Sequence, residues 1–348
     1  MSTPKELQPY PYKEYPVMQK PSLFPTEGQQ AQINRKYGMF LHFGINTFNN
    51  TEWSDGTLPI ESYNPTAIDA ESWIKTAYEA GMNYVILITK HHDGFCMWNT
   101  DTTTYSVKYS PNKTDVVRAV SAACKKYGVK FGIYYSLWDR HEKCYQNDEE
   151  YVQYMEKQLT ELTDGRYGEV VELWFDGAWD KPCRAWQLDR LYNLVKTMQP
   201  ECQIGVNHTV GEYSEEKGFP VERYKPINYQ NRDPLRMFPS DFRLWDPNMC
   251  REDDPKIYTF GGKEYYLPFE QTICSRKEFS WFYCDKYEDK PLMDAHEIIK
   301  NYKILEKTQN LMVINLPPDK NGKLVKGDVD NLMYVADRLN IRRKIRIQ

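Results

Sequence analysis

Short apolar runs alternate with amphipathic helical patterns through most of the 348-residue chain, and this alternation restricts the fold more than any other feature. Seven runs rich in Val, Ile, Leu and aromatic residues occupy positions 38–44, 83–89, 129–136, 170–176, 202–207, 265–270 and 311–316. They are continuously apolar instead of alternating between apolar and polar residues. That pattern is typical of strands covered on both faces, as in a parallel sheet.

Helical patterns fill the intervals between these runs. Stripes of apolar residues at helical spacing begin near Asp69, Val116, Val152, Leu188 and Ala295. The strand-like runs that start at residues 83, 129, 170 and 202 are separated by 46, 41 and 32 residues, which suits one strand and one helix each. We therefore predict an α/β fold, a single (β/α)8-like TIM-type barrel over 31–348 without a C-terminal β-sandwich.

Two segments depart from this pattern. Residues 1–30 are rich in Pro and Tyr, and we expect them to wrap the outside of the barrel. Residues 211–264 are polar and irregular, and we expect a long loop insertion there. Long loops inside compact domains usually have a function, so this one is predicted to be a lid or a specificity loop.

Charge and cysteine content narrow the classes of partner. The chain has 45 basic and 49 acidic residues, a net charge of -4 and no long run of either sign, so neither nucleic acid nor an anionic membrane is expected to bind. The N-terminus lacks the apolar core of a secretory signal, which favours the cytoplasm. A periplasmic or secreted protein whose signal was removed is the alternative. The eight cysteines form no CxxC pair and are interpreted as reduced structural thiols, and the pattern gives no oligomeric state.

Polar and aromatic side chains collect where the predicted strands end. In a barrel of this kind the reacting groups lie at the carboxyl ends of the strands. The side chains at these ends are His42, Lys90, His91, His92, Asp93, Tyr135, Trp138, Asp139, Trp174, Asp176, Asn207, His208 and Glu270. Each has a structural explanation when taken alone. Converging on one face, they need either a metal or a polar ligand to satisfy them.

A metal site is the less favoured of these two explanations. Four histidines and one carboxylate would suffice in number: His42, His91, His92, His208 and Asp176. The first strand has no His-x-His pair, however, and adjacent histidines on a strand would point to opposite faces. We therefore expect no metal and no cofactor, and keep a metal-dependent TIM-barrel hydrolase as an alternative.

Carboxylate chemistry suits the same strand ends better. Glycoside hydrolysis uses one carboxylate as nucleophile or base and a second carboxylic acid that protonates the leaving oxygen. Asp176, in the aromatic strand end "ELWFDGAW", suits the first role. For the acid, Glu270 is the first candidate, Glu212 is its rival and Asp241 is a more distant third. The structural alternative for Glu270 is a salt bridge with Arg276.

These motifs together resemble a known family. The segments "YGMFLHFGINTF", "EWSDGT", "ITKHHDGFCMW", "FGIYYSLWDR", "ELWFDGAW" and "LPFE…SWFY…VINLPPDKNG" are similar to those of glycoside hydrolase family 29, the retaining α-L-fucosidases, in the same order from about Tyr37 to Asp330. "FGINTF" and "EWSDGT" resemble the group that acts on branched α-1,3/1,4 fucose. The resemblance implies an exo-α-L-fucosidase that works on fucosylated oligosaccharides or glycans without a cofactor.

The resemblance also implies roles for individual residues. Asp176 would be the nucleophile that forms a fucosyl-enzyme, and Glu270 matches a family glutamate. The residues implied to hold the sugar are His42, Glu52, Trp53, His91, His92, Tyr135 and Trp174, and Trp281 would add a wall. The family's "RWxGNE" segment, which supplies the acid in the branched-fucose group, is absent, because this sequence has "VNHTVGEYSEEKG" there. A fucose-binding barrel with impaired acid catalysis is therefore a second alternative.

Overall fold

Eight parallel strands close into a barrel, as the sequence predicts. The computed structural model describes residues 13–211, 230–244, 250–278 and 280–344. Its strands are β1 (Tyr37–Leu41), β2 (Tyr84–Lys90), β3 (Lys130–Ser136), β4 (Glu172–Asp176), β5 (Gln203–Val206), β6 (Phe242–Leu244), β7 (Ile257–Phe260), β8 (Lys263–Tyr266), β9 (Phe269–Cys274) and β10 (Leu311–Asn315). The barrel order is β1-β10-β9-β6-β5-β4-β3-β2, and β7 pairs with β8 in a separate antiparallel hairpin.

Helices lie between the strands where the apolar stripes predict them. They are α1 (Glu27–Arg35), α2 (Ile45–Phe48), α3 (Ala70–Glu79), α4 (Val116–Tyr127), α5 (Asp148–Thr163), α6 (Cys183–Trp186), α7 (Leu188–Met198), α8 (Ala295–Lys307) and α9 (Lys326–Leu339). The Asp69 side chain accepts a hydrogen bond from the Ser72 N–H and caps α3. Gly128 ends α4 in the left-handed conformation, with φ of 67°. No helix in the described ranges is both long and apolar enough to cross a bilayer.

The inside of the barrel is filled in layers by alternate residues of each strand. Along β4 the inward-facing residues are Glu172, Trp174 and Asp176, from the amino end to the carboxyl end. A separate apolar cluster inside the barrel comprises Phe40, Tyr84, Ile86, Ile88, Tyr134, Trp174, Phe242, Leu244, Leu311 and Val313. A larger cluster lies between the strands and the surrounding helices. The layers decide which side chains reach the carboxyl face and which lie below it.

Helix α1 covers the amino end of the barrel. The Gln29 amide donates to the carbonyl oxygens of Asp241 and Tyr266, at 2.6 and 2.7 Å. Arg35 Nη2 lies 2.7 Å from Glu172 Oε2, and Gln32 donates to the same oxygen at 3.1 Å. Glu172 is therefore a buried carboxylate with a cationic partner from α1.

The stretch 211–264 differs from the expected irregular insertion. It contains barrel strand β6 and hairpin strand β7. Three residues of β6 are too few to give an apolar run that the sequence pattern can detect. Residues 212–229 and 245–249 of the expected lid lie outside the described part. In the N-terminal segment, described from Lys13, the Lys13 and Val17 N–H groups bond to side chains of α7.

The run "YYLPFE" is not one strand. Tyr265 and Tyr266 belong to the hairpin strand β8, whereas the barrel strand β9 begins only at Phe269. Pro268 stands between them and cannot donate a backbone hydrogen bond to a sheet. Glu270 therefore lies near the start of its strand and not at its end, contrary to the sequence prediction.

All eight cysteines are free thiols.

Candidate active site

Asp176 is the last residue of β4 and opens onto the carboxyl face of the barrel. The Tyr134 hydroxyl donates to its Oδ2 at 2.7 Å, and the Asn207 amide donates to its Oδ1 at 3.0 Å. The residue is only 8% exposed. Both carboxylate oxygens thus have a fixed donor while the group still reaches solvent, which holds the carboxylate in one orientation.

Gly177 lets the chain turn directly after this carboxylate. Its φ is 78°, a conformation that side chains disfavour. A Cβ at this position would lie 2.8 Å from the Trp138 Cβ and 3.2 Å from the His92 Cε1. Glycine therefore allows both the turn and the close approach of the aromatic wall.

His91 and His92 lie next to each other after β2, and His92 is close to Asp176. Strand β2 ends at Lys90, so the two histidines belong to a loop and their ring centroids are only 4.2 Å apart. The expectation that they point to opposite faces is wrong for this reason. His92 Nδ1 lies 2.6 Å from the Ser136 hydroxyl, which itself donates to the Trp138 carbonyl. His92 Nδ1 is therefore the donor, and its Nε2 lies 3.6 Å from Asp176 Oδ2.

His42 is fixed in one tautomer at the end of β1. Its Nδ1 lies 2.7 Å from Asn315 Oδ1, and the Asn315 amide nitrogen donates to the Trp281 carbonyl at 2.8 Å. The amide oxygen thus faces His42, which must donate through Nδ1. Burial lowers the pKa of His42 to about 3, although the bond to Asn315 works in the opposite direction. His42 is therefore neutral, and its Nε2 is an acceptor.

His91 is also neutral. Burial, together with the neighbouring His92 and His42, holds its pKa well below the usual range. Its Nδ1 is buried and has no hydrogen-bond partner. Buried polar atoms are normally satisfied, so this nitrogen is available to a polar ligand.

Glu52 is held by backbone groups from the segment after β9. The Trp281 and Phe282 N–H groups donate to its Oε2 at 3.1 and 3.2 Å. Burial raises the pKa of Glu52 to about 7, and the two backbone donors offset only part of this effect. The Trp281 ring lies 5.1 Å from the His42 ring, so Glu52, Trp281 and His42 form one group.

Three tryptophans surround His92 at the mouth of the site. Trp53 meets the His92 ring edge-on at 5.1 Å and is nearly parallel to Trp179, with 6.0 Å between centroids. Trp138 contacts both Trp53 and His92. Trp53 is 39% exposed, so an apolar ring face remains open to a ligand. Flat apolar faces beside fixed polar groups are typical of sugar sites.

Tyr135 does not belong to the site, contrary to expectation. Its hydroxyl donates to Gln158 Oε1 of α5 at 2.7 Å and accepts from Lys90 Nζ at 3.1 Å, on the outer side of the barrel. Tyr134 is opposite Trp174 in the strand register and faces inward. Side chains alternate between the two faces of a strand, and in this register Tyr134 and Asp176 face the same way. This alternation was the sequence signal that could have identified Tyr134.

The acid candidates are separated by the fold. Glu270 is 1% exposed and lies below Trp174, whose Nε1–H donates to Glu270 Oε1 at 3.0 Å. Arg276 is not its partner, because Arg276 pairs with Asp328 at 2.8 Å. Asp241 is 2.8 Å from Lys196 and also accepts from the Ile204 N–H, so it serves the structure of the barrel wall. Glu212 lies outside the described residues.

Tyr134 and Trp179 contact the site, although the sequence analysis did not include them among the candidate residues. Asn207 and Trp138, which it placed at strand ends without a particular role, also contact the site. Asn207 follows β5, so its position at a strand end is as the sequence predicts. Within the described ranges, no group of three His, Cys, Asp or Glu side chains is arranged to hold a metal ion. The candidate set His42, His91, His92, His208 and Asp176 is instead distributed over hydrogen bonds and aromatic contacts.

A carboxylate beside histidines and tryptophans thus lies at the carboxyl face of a (β/α)8 barrel, where such barrels carry their reacting groups, and its surroundings are typical of a sugar site. The sequence profile described as Alpha-L-fucosidase matches residues 48–343. The chain belongs to this family, glycoside hydrolase family 29.

Individual relatives agree with this membership. Alpha-L-fucosidase 1 of Arabidopsis thaliana is 31% identical over 342 residues, which cover 96% of this chain and 62% of the relative. A crystal structure of a glycoside hydrolase 29 family member from an unknown rumen bacterium is 26% identical with a TM-score of 0.74, covering 91% of this chain and 57% of that one. A Bacteroides ovatus structure is 30% identical with a TM-score of 0.72, covering 91% and 55%. The chain thus spans less than two thirds of each of these relatives.

Proposed function

We propose that the chain is a retaining exo-α-L-fucosidase that removes terminal α-L-fucose from oligosaccharides or glycans by double displacement. The observation that carries this proposal is the Asp176 carboxylate, held by Tyr134 and Asn207 at the base of the aromatic site. Family membership and the named relatives support the same reaction.

In the first step, an Asp176 oxygen attacks the anomeric carbon of fucose as the bond to the leaving oxygen breaks. A carboxylic acid protonates that oxygen, and a fucosyl ester on Asp176 results. In the second step, the group that acted as the acid is now a carboxylate and takes a proton from water. The water oxygen attacks the anomeric carbon, and the bond to Asp176 breaks. The anomeric configuration is retained because it inverts twice.

We propose that neutral histidines receive the sugar hydroxyls. Acceptor nitrogens on His42 and the unpartnered Nδ1 of His91 suit hydroxyl donors. The ring face of Trp53 suits the apolar side of a 6-deoxy sugar. Branched α-1,3/1,4-linked fucose is the finer form of the substrate proposal, and it rests on the "FGINTF" and "EWSDGT" motifs. The proton donor we propose is Glu212, since Glu270 lies toward the opposite end of the barrel.

The test is Asp176→Ala measured on 4-nitrophenyl α-L-fucoside. We expect kcat/KM to fall by about 10⁴-fold, in the range seen when a covalent nucleophile is removed. Sodium azide should partly restore turnover and give a fucosyl azide of inverted configuration, because azide then replaces the carboxylate in a single displacement.

An Asp176→Ala enzyme with wild-type turnover would contradict the nucleophile assignment. Wild-type protein that binds fucose without hydrolysing any fucoside would instead support the fucose-binding barrel.

A further inference from the structure

Glu270 occupies a buried position below the site and is bonded on both of its oxygens. Trp174 Nε1–H donates to Oε1 at 3.0 Å, and the Tyr84 hydroxyl donates to Oε2 at 2.7 Å. Tyr84 opens β2, and Glu270 is the second residue of β9, so both lie toward the amino end of the barrel. This end is closed by α1, away from the face that Asp176 opens onto.

A second carboxyl group faces Glu270 across the barrel. Glu172 begins β4, and its Oε2 is taken by Arg35 and Gln32. Its Oε1 is buried and receives no donor unless Glu270 carries a proton. Burial, and then the charge of Glu172, raise the pKa of Glu270 well above the ordinary range. Glu270 therefore accepts from Trp174 and Tyr84 beside a second buried carboxyl group, an environment that favours its protonated form.

The Trp174 indole connects this carboxyl pair to the site. Its ring lies nearly parallel to the Tyr134 ring, with 5.7 Å between centroids, and meets Phe40 edge-on at 5.6 Å. Tyr134 in turn donates to Asp176. The indole nitrogen is thus held by Glu270 on the amino side, and the indole ring packs against Tyr134, which bonds to Asp176.

We propose that Glu270 is a positioning residue that acts through Trp174, and that it does not supply the catalytic proton. This inference rests on the proposed function for its kinetic consequences. The hydrogen bond from Trp174 to Glu270 fixes the indole in the middle layer of the barrel. The Tyr134 ring and the Asp176 carboxylate above it then keep the geometry that attack on the anomeric carbon requires.

The experiment compares Glu270→Gln with Glu270→Ala on 4-nitrophenyl α-L-fucoside and on a branched fucosylated trisaccharide. Glutamine is neutral, can accept from Trp174 and can donate to Glu172. We therefore expect activity within about threefold of wild type, which is within the small net free energy of one hydrogen bond. Alanine should lower kcat/KM by about 10²-fold on both substrates equally, the cost of a misplaced reacting group. Azide should not rescue it, and the basic limb of the pH profile should stay unchanged.

Glu212→Ala is the comparison variant for an acid. It should lose far more activity on the trisaccharide than on the aryl fucoside, whose leaving group needs no proton, and azide should rescue it. If Glu270→Gln and Glu270→Ala show this same behaviour, the positioning role is overturned. It is overturned equally if Glu270→Ala matches wild type in every readout.

A structural readout keeps the proposal independent of the reaction. Near-UV circular dichroism should change in Glu270→Ala and remain wild-type in Glu270→Gln, because only alanine frees the indole. In kinetics, Trp174→Phe should lower kcat/KM as Glu270→Ala does, and the double variant should lose little more than either single variant. Full additivity of the two losses would contradict the coupling. Glu161→Ala is the matched control. Glu161 also accepts a hydrogen bond from a buried indole, that of Trp98 at 2.8 Å, but this pair lies outside the barrel interior. Wild type inactive on both fucosides would count against the proposed function alone, because the spectroscopic comparison would still decide the role of Glu270.

Discussion

At the scale of single residues, adjacent tyrosines of β3 have opposite fates. Tyr134 faces inward and donates to Asp176, whereas Tyr135 faces outward and bonds to Gln158 and Lys90. The sequence "YYS" offers no composition difference between them. Their roles follow from the parity of the strand, which is set by the register with β4.

A matched pair of substitutions tests this difference. Tyr134→Phe should lower kcat/KM by about 10-fold to 100-fold, since a hydrogen bond to a charged group is worth about 1.5–3 kcal/mol. Tyr135→Phe should leave kcat/KM unchanged and lower the free energy of unfolding by about 1 kcal/mol. Steady-state kinetics and urea unfolding of both variants measure these effects. Equal kinetic losses in the two variants would refute the assignment.

Glu52 gives the protein a dependence of stability on pH. Burial raises its pKa from 4.5 to about 7, so the folded state holds a proton that the unfolded state releases. Its contribution is fully present below pH 4.5 and is lost as the pH rises to about 7. Asp93, whose pKa is raised by burial to about 6, acts in the same direction.

The Glu52→Gln variant isolates this contribution. Between pH 5 and pH 8 we expect the free energy of unfolding to fall less in the variant than in wild type. The difference between the two proteins should correspond to the free-energy equivalent of the Glu52 pKa shift. Urea titrations at the two pH values measure the difference. Identical pH dependence in both proteins would show that Glu52 is not protonated in the folded state near neutral pH.

At the scale of elements, the end of β2 is shaped by an irregularity. The register with β3 shifts between Ile88 and Lys90, so Lys90 pairs with Tyr135 and turns outward. Its ammonium lies 2.9 Å from Asp139 Oδ2 and 3.2 Å from the Tyr151 hydroxyl of α5. Burial opposes this charge, but Asp139 raises the pKa of Lys90 above its usual value. The loop that carries His91 and His92 thus begins from a fixed point.

Lys90→Met should therefore destabilise the fold strongly. Removing one partner of a buried ion pair costs about 3–5 kcal/mol, because Asp139 would be left buried and unpaired. The exposed pair of Lys130 and Glu169, at 2.6 Å, is the control, and Lys130→Met should cost no more than about 1 kcal/mol. Urea unfolding measures both, and similar costs for the two variants would contradict the importance of burial.

The boundaries of β9 show where element prediction from the sequence fails. The apolar run 265–270 joins the end of a hairpin to the start of a barrel strand, and Pro268 alone marks the division. Strand β6 is missed because three residues carry no detectable period. The sequence prediction placed this barrel strand a few residues too early. It therefore assigned Glu270 to the carboxyl end of the barrel and made it the first candidate for the acid.

Across the molecule, one end of the barrel is covered by helix α1 and the other end opens around the candidate site. Helix α1 supplies Arg35 to Glu172 at the amino end, and the strand ends open around Asp176 at the other. The three inward residues of β4 connect these ends through Trp174. A buried charge at the closed end is stabilised by its partner, while the exposed end keeps polar groups for a ligand.

Local periodicity and motifs that are contiguous in the chain were enough to predict the barrel, the positions of most strands and helices, and the candidate carboxylate Asp176. The sequence also indicated His42, His91 and His92, which lie close to strand ends. The orientation of the two tyrosines of β3 and the position of Glu270 became clear only once the strands were seen packed together. Those facts depend on register between strands far apart in sequence, and a shift of one residue reverses the face of every side chain.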